Sequence, residues 1–114
     1  MDVEKLGECL LGRLEAQSIV VENKCDERIV LEAIEVKYYV VVNVRGGRDG
    51  VIEERPARRE ITERIGVDSV LDPGSRFEVY FGTVENIEEL NVIVRVGDKL
   101  YRVPLAAEAS SGTM

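Results

Sequence analysis

A chain of 114 residues is the size of one domain, long enough to bury a core without staples. Its net charge of −7 argues against a nucleic-acid binder that neutralises phosphates over a broad surface, and the lack of any histidine leaves acid–base work to carboxylates, Lys, Tyr or Cys. No run of 18 apolar residues is present, so no membrane-spanning helix is expected.

The opening MDVEKLGECLLG lacks the basic start of a signal peptide. A cytoplasmic location is therefore expected, with a cell-surface domain as the alternative if the sequence is cut from a longer one. Sixteen Glu and eleven Arg stand against one Gln and four Asn. Abundant ion-pair formers and scarce thermolabile amides point to a thermophilic source.

In chain order, Val3, Leu6, Leu10 and Leu14 recur at helical spacing and predict a short N-terminal helix leading into a strand, with an early strand from Leu10 as the rival. Cys9 and Cys25 match no metal-ligand spacing, and no histidine completes a set, so no metal or other cofactor is expected. They read as buried thiols in a mesophile's cytosol. In a hyperthermophile they become candidates for a disulfide that closes a loop of about 15 residues, contributing roughly 3 kcal/mol.

The apolar run Ile19, Val20, Val21, followed by turn residues Asn23 to Glu27, predicts a hairpin into the next strand. That strand, RIVLEAIEVKYYVVVNVR over 28–45, is the longest β-type stretch of the chain. Its apolar phase slips near Ala33 and Ile34, as a β-bulge would make it. A bent strand that passes from one sheet to another fits best; two strands joined around 36–38 also fit. Val40, Val41 and Val42 are apolar on both faces, which predicts a central strand covered on both sides, with pairing to a second subunit as the sharper reading.

RGGRDG over 45–50 is a glycine-rich loop. Val51 and Ile52 open a short arm that Pro56 should stop or confine to a sheet edge. Ile61, Ile65 and Val67 make a further strand in which Glu63 is either turned inward or placed on an edge to discourage stray pairing. Asp72-Pro73-Gly74-Ser75 reads as a type II turn. Phe77, Val79 and Phe81 alternate as a half-buried strand, 84–89 as a helical turn, and Leu90 to Val96 as a strand that returns through a Gly97-Asp98 hairpin to Tyr101, Val103 and Leu105.

About seven short strands with regular turn signals predict a mainly β fold, an antiparallel β-sandwich over 1–105, followed by a disordered tail over 106–114. The closing pattern of a PG turn, an alternating strand, a connector and a last hairpin resembles the second half of an immunoglobulin-like or fibronectin-type sandwich. The tryptophan of the antibody core is absent, and the likeness is to a superfold that implies no function. A small β-barrel is the structural alternative.

No nucleophile elbow, Walker sequence or dinucleotide fingerprint is present, so no catalytic residue is assigned and the chain is not expected to be an enzyme. The feature left to explain is Arg45, Arg48, Arg55, Arg58, Arg59 and Arg64, six of the eleven arginines. The plain reading is a charge-laced hairpin of cross-strand Arg–Glu pairs; the functional one is a protruding arm that docks on an acidic protein partner or a second subunit. The expected function is thus a non-enzymatic protein-interaction or structural module, open to homodimer formation. A carrier of a small apolar ligand among Phe77, Phe81 and the valines, and a nucleic-acid accessory domain using the arginines, are the alternatives.

Overall fold

The computed structural model describes residues 2–82 and 86–109. It is mainly β, with one short helix and two separate sheets stacked as a sandwich. Helix α1, Val3–Cys9, starts where Asp2 caps it by accepting the N–H of Lys5 at 2.9 Å, and buries Leu6. Eight strands follow: β1 Leu10–Glu15, β2 Ser18–Asn23, β3 Ile29–Arg48, β4 Val51–Leu71, β5 Arg76–Tyr80, β6 Ile87–Val96, β7 Lys99–Leu105 and β8 Ala107–Ala109.

One sheet runs β5-β2-β1-β8 and the other β4-β3-β6-β7. Every pairing is antiparallel except that of β8, which lies parallel to β1. Ala107–Ala109 falls in the stretch expected to be a tail, and 110–114 lie outside the described residues. No pairing among the described residues joins the two sheets into a barrel.

The core lies between the sheets: Leu10 and Leu14 of β1, Ile19 and Val21 of β2, and Ile29, Leu31, Ile34 and Val36 of β3 meet Leu90, Val92, Val94, Val103 and Leu105, with Leu6 beneath. Gly12 sets how closely the layers approach. A Cβ there would come within 3.0 Å of a Leu90 methyl and 3.2–3.3 Å of Leu105. Gly12→Val is expected to lower stability by about 1–3 kcal/mol, read from the guanidinium midpoint, because both leucines are held by the opposite sheet. An unchanged midpoint would show that the layers can part there freely.

The slip in β3 is a bulge. Leu31 pairs with Val94 and Ala33 with Ile93, so Glu32 is an extra residue relative to β6. The extra residue lets Leu31 and Ile34 both point inward, each fully buried, while Glu32 turns out to Arg95 at 2.6 Å. The strand does not pass to the other sheet, however. It stays in one sheet and runs on beyond it, because β6 ends its pairing at Tyr38 and β4 alone follows β3 to the tip.

Three further expectations are corrected. β2 pairs with β1 and β5 rather than forming a hairpin with β3, since Asn23 to Arg28 carry the chain across to the other sheet. The short arm expected from Val51 and Ile52 is instead the 21-residue strand β4, in which Pro56 sits opposite Asn43 on a sheet edge, the other of the two outcomes expected for it. Residues 87–89 are strand rather than helical turn, held by pairing to β3, while 83–85 lie outside the described residues.

The turns at 72–75 and 97–98 follow the expected chemistry. Ser75 N–H donates to the Asp72 carbonyl at 2.9 Å with Gly74 at φ +88, and Gly97 at φ +62 begins the two-residue link between Val96 and Lys99.

Below the sandwich, Asn23 ties three segments together. Fully buried, its amide nitrogen donates to the carbonyls of Glu27 at 3.0 Å and Leu71 at 2.9 Å, and its oxygen accepts the N–H of Cys25 at 2.9 Å. Its backbone bonds Ser75 and Gly74. Beside it, Cys9 and Cys25 form a disulfide with Cα atoms 4.9 Å apart, which joins the end of α1 to the β2–β3 crossing.

Candidate interaction arm

Beyond Tyr38 the strands β3 and β4 pair with no third strand among the described residues and form a two-stranded ribbon over residues 39–60. Ten residues of strand project it about 33 Å. The whole molecule measures 64 × 35 × 22 Å, with a radius of gyration of 17.9 Å, against about 13 Å for a compact domain of this length. Val40, Val41 and Val42 therefore do not lie in a central covered strand; Val41 is 61% exposed, and Val44, Val51 and Ile52 are exposed with it.

Cross-strand register sorts the ribbon into two unlike faces, since paired residues point to the same side. One face continues the core side of β3. It carries Val40, Val42 and Val44 opposite Arg59, Ala57 and Arg55. The other carries Tyr39, Val41, Asn43 and Arg45 opposite Glu60, Arg58, Pro56 and Glu54.

The arginines divide along the same line. Arg45 pairs with Glu54 at 2.9 Å and Arg64 with Glu35 at 3.1 Å. Arg58 lies 3.7 Å over the Tyr39 ring and reaches Glu88 at 2.7 Å, tying the ribbon to the start of β6. All three belong to the second face. Arg55 and Arg59, on the valine face, make no ion pair with the described residues. For Arg48 the backbone places it at the hairpin tip opposite Val51. The six arginines thus share one hairpin but do not converge on a single site.

At the root of the arm an open groove of about 630 Å³ runs between β3 and β5, floored by Tyr38, Val40, Val79 and Phe81 and rimmed by Glu63. Tyr38 packs edge-to-face on Phe81, ring centres 5.3 Å apart, and its hydroxyl donates to the Glu63 carboxylate. Glu63 thus stands on an outer strand opposite Val36, on the inner face of the sheet, yet exposed at the rim. That hydrogen bond, then burial, then the carboxylate charge hold the Tyr38 phenol above its ordinary pKa.

Tyr38→Phe is expected to remove a late step from an alkaline titration followed by phenolate absorbance. A phenol pKa raised by folding stabilises the fold below the unfolded value near 10, and that contribution fades as pH climbs above it. A late step that survives Tyr38→Phe would assign it to another tyrosine.

Among the described residues no group of three His, Cys, Asp or Glu is placed to hold a metal, and no helix is long and apolar enough to cross a membrane. The chain matches no protein-family model, and comparison with curated proteins and with solved structures gives no match.

Sequence patterning picks out both the arginines and the valines of this arm, but it places the valines in a covered strand, because they alternate just as core residues do. The signal that separates them lies in the partner strand. RPARRE over 55–60 puts a charge or proline at nearly every position of both faces, and a strand beside it cannot lie between two apolar layers.

Proposed function

We propose that the chain is a non-enzymatic interaction or structural module, an immunoglobulin-like sandwich that holds a two-stranded arm out to a protein surface. The strand order supports the sandwich type: β5-β2-β1 facing β4-β3-β6-β7 follows the order of strands E, B and A facing C′, C, F and G, with β8 added beside β1. On that reading the arm is an elongated C–C′ hairpin.

The observation that carries the proposal is the exposure of Val41, Val44, Val51 and Ile52 on a ribbon that pairs with no third strand among the described residues. Isolated two-stranded ribbons are marginal in water, and scattered apolar residues on one gain most when another surface covers them. A photo-crosslinking residue at position 42 tests this. A covalent adduct to a protein, whether this chain or another, is expected; its absence at every concentration rejects the docking role.

The second reading, a carrier of a small apolar ligand, draws support from the groove at Tyr38 and Phe81. It ranks lower because the groove is open along its length and leaves an apolar ligand wet on one side. Nucleic-acid binding ranks below both, since Arg45, Arg58 and Arg64 are already paired to carboxylates. The Cys9–Cys25 bridge supports either a hyperthermophilic cytoplasm, in keeping with the composition, or an oxidising cell-surface setting.

A further inference from the structure

Two glycines stand together near the outer end of β3, and the fold requires only one of them. A Cβ on Gly47 would lie 2.6 Å from the Val51 carbonyl oxygen, so a side chain there would strike the opposite strand. At Gly46 a Cβ would meet nothing within 4 Å, and its backbone lies outside the left-handed region that favours glycine. A glycine inside a strand weakens it, and here neither space nor conformation asks for one. What the missing side chain leaves is an open socket of about 440 Å³ on the valine face. Exposed Val44 and Val51 wall it, and Glu53 and Arg55 flank it.

The charges on this face favour an acid. Glu53, Arg55, Ala57 and Arg59 follow one another along it on β4. Arg55 and Arg59 are both exposed and make no ion pair with the described residues. Four strand positions set them about 13 Å apart. On the other face, by contrast, Arg45, Arg58 and Arg64 are already met by Glu54, Glu88 and Glu35. Any surface that covers the valines also takes water from the Arg55 and Arg59 guanidiniums, a loss that carboxylates on that surface make good.

We infer that the socket receives one aliphatic side chain of an acidic partner segment, whose carboxylates meet Arg55 beside it and Arg59 nearer the body. This rests on reading the arm as a docking element, and it narrows the docking to one face and one kind of partner. A second copy is a poorer match. Laid valine face to valine face, it would bring two arginines against two, with only Glu53 on each side to offset them.

A random-peptide display library selected on the whole chain tests this. The enriched peptides should combine aliphatic residues with two or more Asp or Glu, and the tightest, made synthetically, should bind less well as salt rises. Gly46→Leu fills the socket without touching its neighbours, so it should weaken that peptide about 10-fold or more with no loss in the guanidinium midpoint. Arg55→Glu should weaken it about 100-fold, and a peptide with the matching carboxylate changed to Lys should bind this variant again, which shows the variant is folded. Arg45→Gln, on the other face, should change binding by less than about twofold. No enriched peptide, peptides without acidic bias, or undiminished binding by Gly46→Leu and Arg55→Glu overturns the inference. If in that case the probe at position 42 still forms an adduct, the arm remains a docking element with a different occupant, a second copy included; if it forms none, the reading of the arm falls too.

Discussion

Replacing Asn23 with alanine is expected to cost about 3 kcal/mol or more, on the scale of emptying a leucine site in the core. The cost does not come from lost apolar contact. It comes from three backbone groups, the carbonyls of Glu27 and Leu71 and the N–H of Cys25, that the fully buried amide satisfies and that alanine would strand away from water. Each stranded group carries a penalty of about 1–3 kcal/mol before relaxation. Asn23→Asp separates the contributions: the carboxylate can still accept from Cys25 but cannot donate to either carbonyl, so it too should be severely destabilised. Chemical denaturation measures both. A loss below about 1 kcal/mol for the alanine variant would show that water enters and takes over the amide's bonds.

Reduction of the Cys9–Cys25 bridge should lower stability by about 3 kcal/mol, the entropy released by opening a loop between cysteines 16 positions apart. The bridge fastens α1 to the same crossing that Asn23 organises, and Lys24 N–H bonds the Cys9 carbonyl at 2.9 Å alongside it. The two effects should therefore couple, with Asn23→Ala costing a different amount in reduced protein than in oxidised protein. A double cycle of reduction and substitution, read by denaturation, measures the coupling. Strict additivity would show that the crossing keeps its shape without the bridge.

Local rules made much of the sandwich legible. The alternations Phe77-Val79-Phe81 and Leu90-Val92-Val94 and the Pro73-Gly74 and Gly97-Asp98 turns each depend on neighbours in sequence, and each is found where the pattern placed it. The slip at Ala33 was legible for the same reason, because a phase change between adjacent apolar residues has one common backbone cause. Pairing partners were harder to read. Asn23 to Arg28 look like hairpin residues, yet they cross between layers, and only the burial of Asn23 and its bonds to Leu71 and Ser75 make that crossing favourable. The arm was legible in its charges and illegible in its valines. Whether Val40 to Val44 meet a core depends on where β6 stops, and that is set at Tyr38 by pairing with Ile87, far along the chain.

The unbroken run of β3 and β4 from tip to sandwich has a mechanical consequence. Tension applied at the tip along the arm passes down two continuous backbones, and inside the body it must shear a whole ladder of hydrogen bonds at once, because β6 grips β3 from Val30 to Tyr38. A sideways load meets much less resistance, since a two-stranded ribbon flexes across its flat side. Stiff under traction and compliant in bending, the arm bears a pull along its length far better than a push from the side.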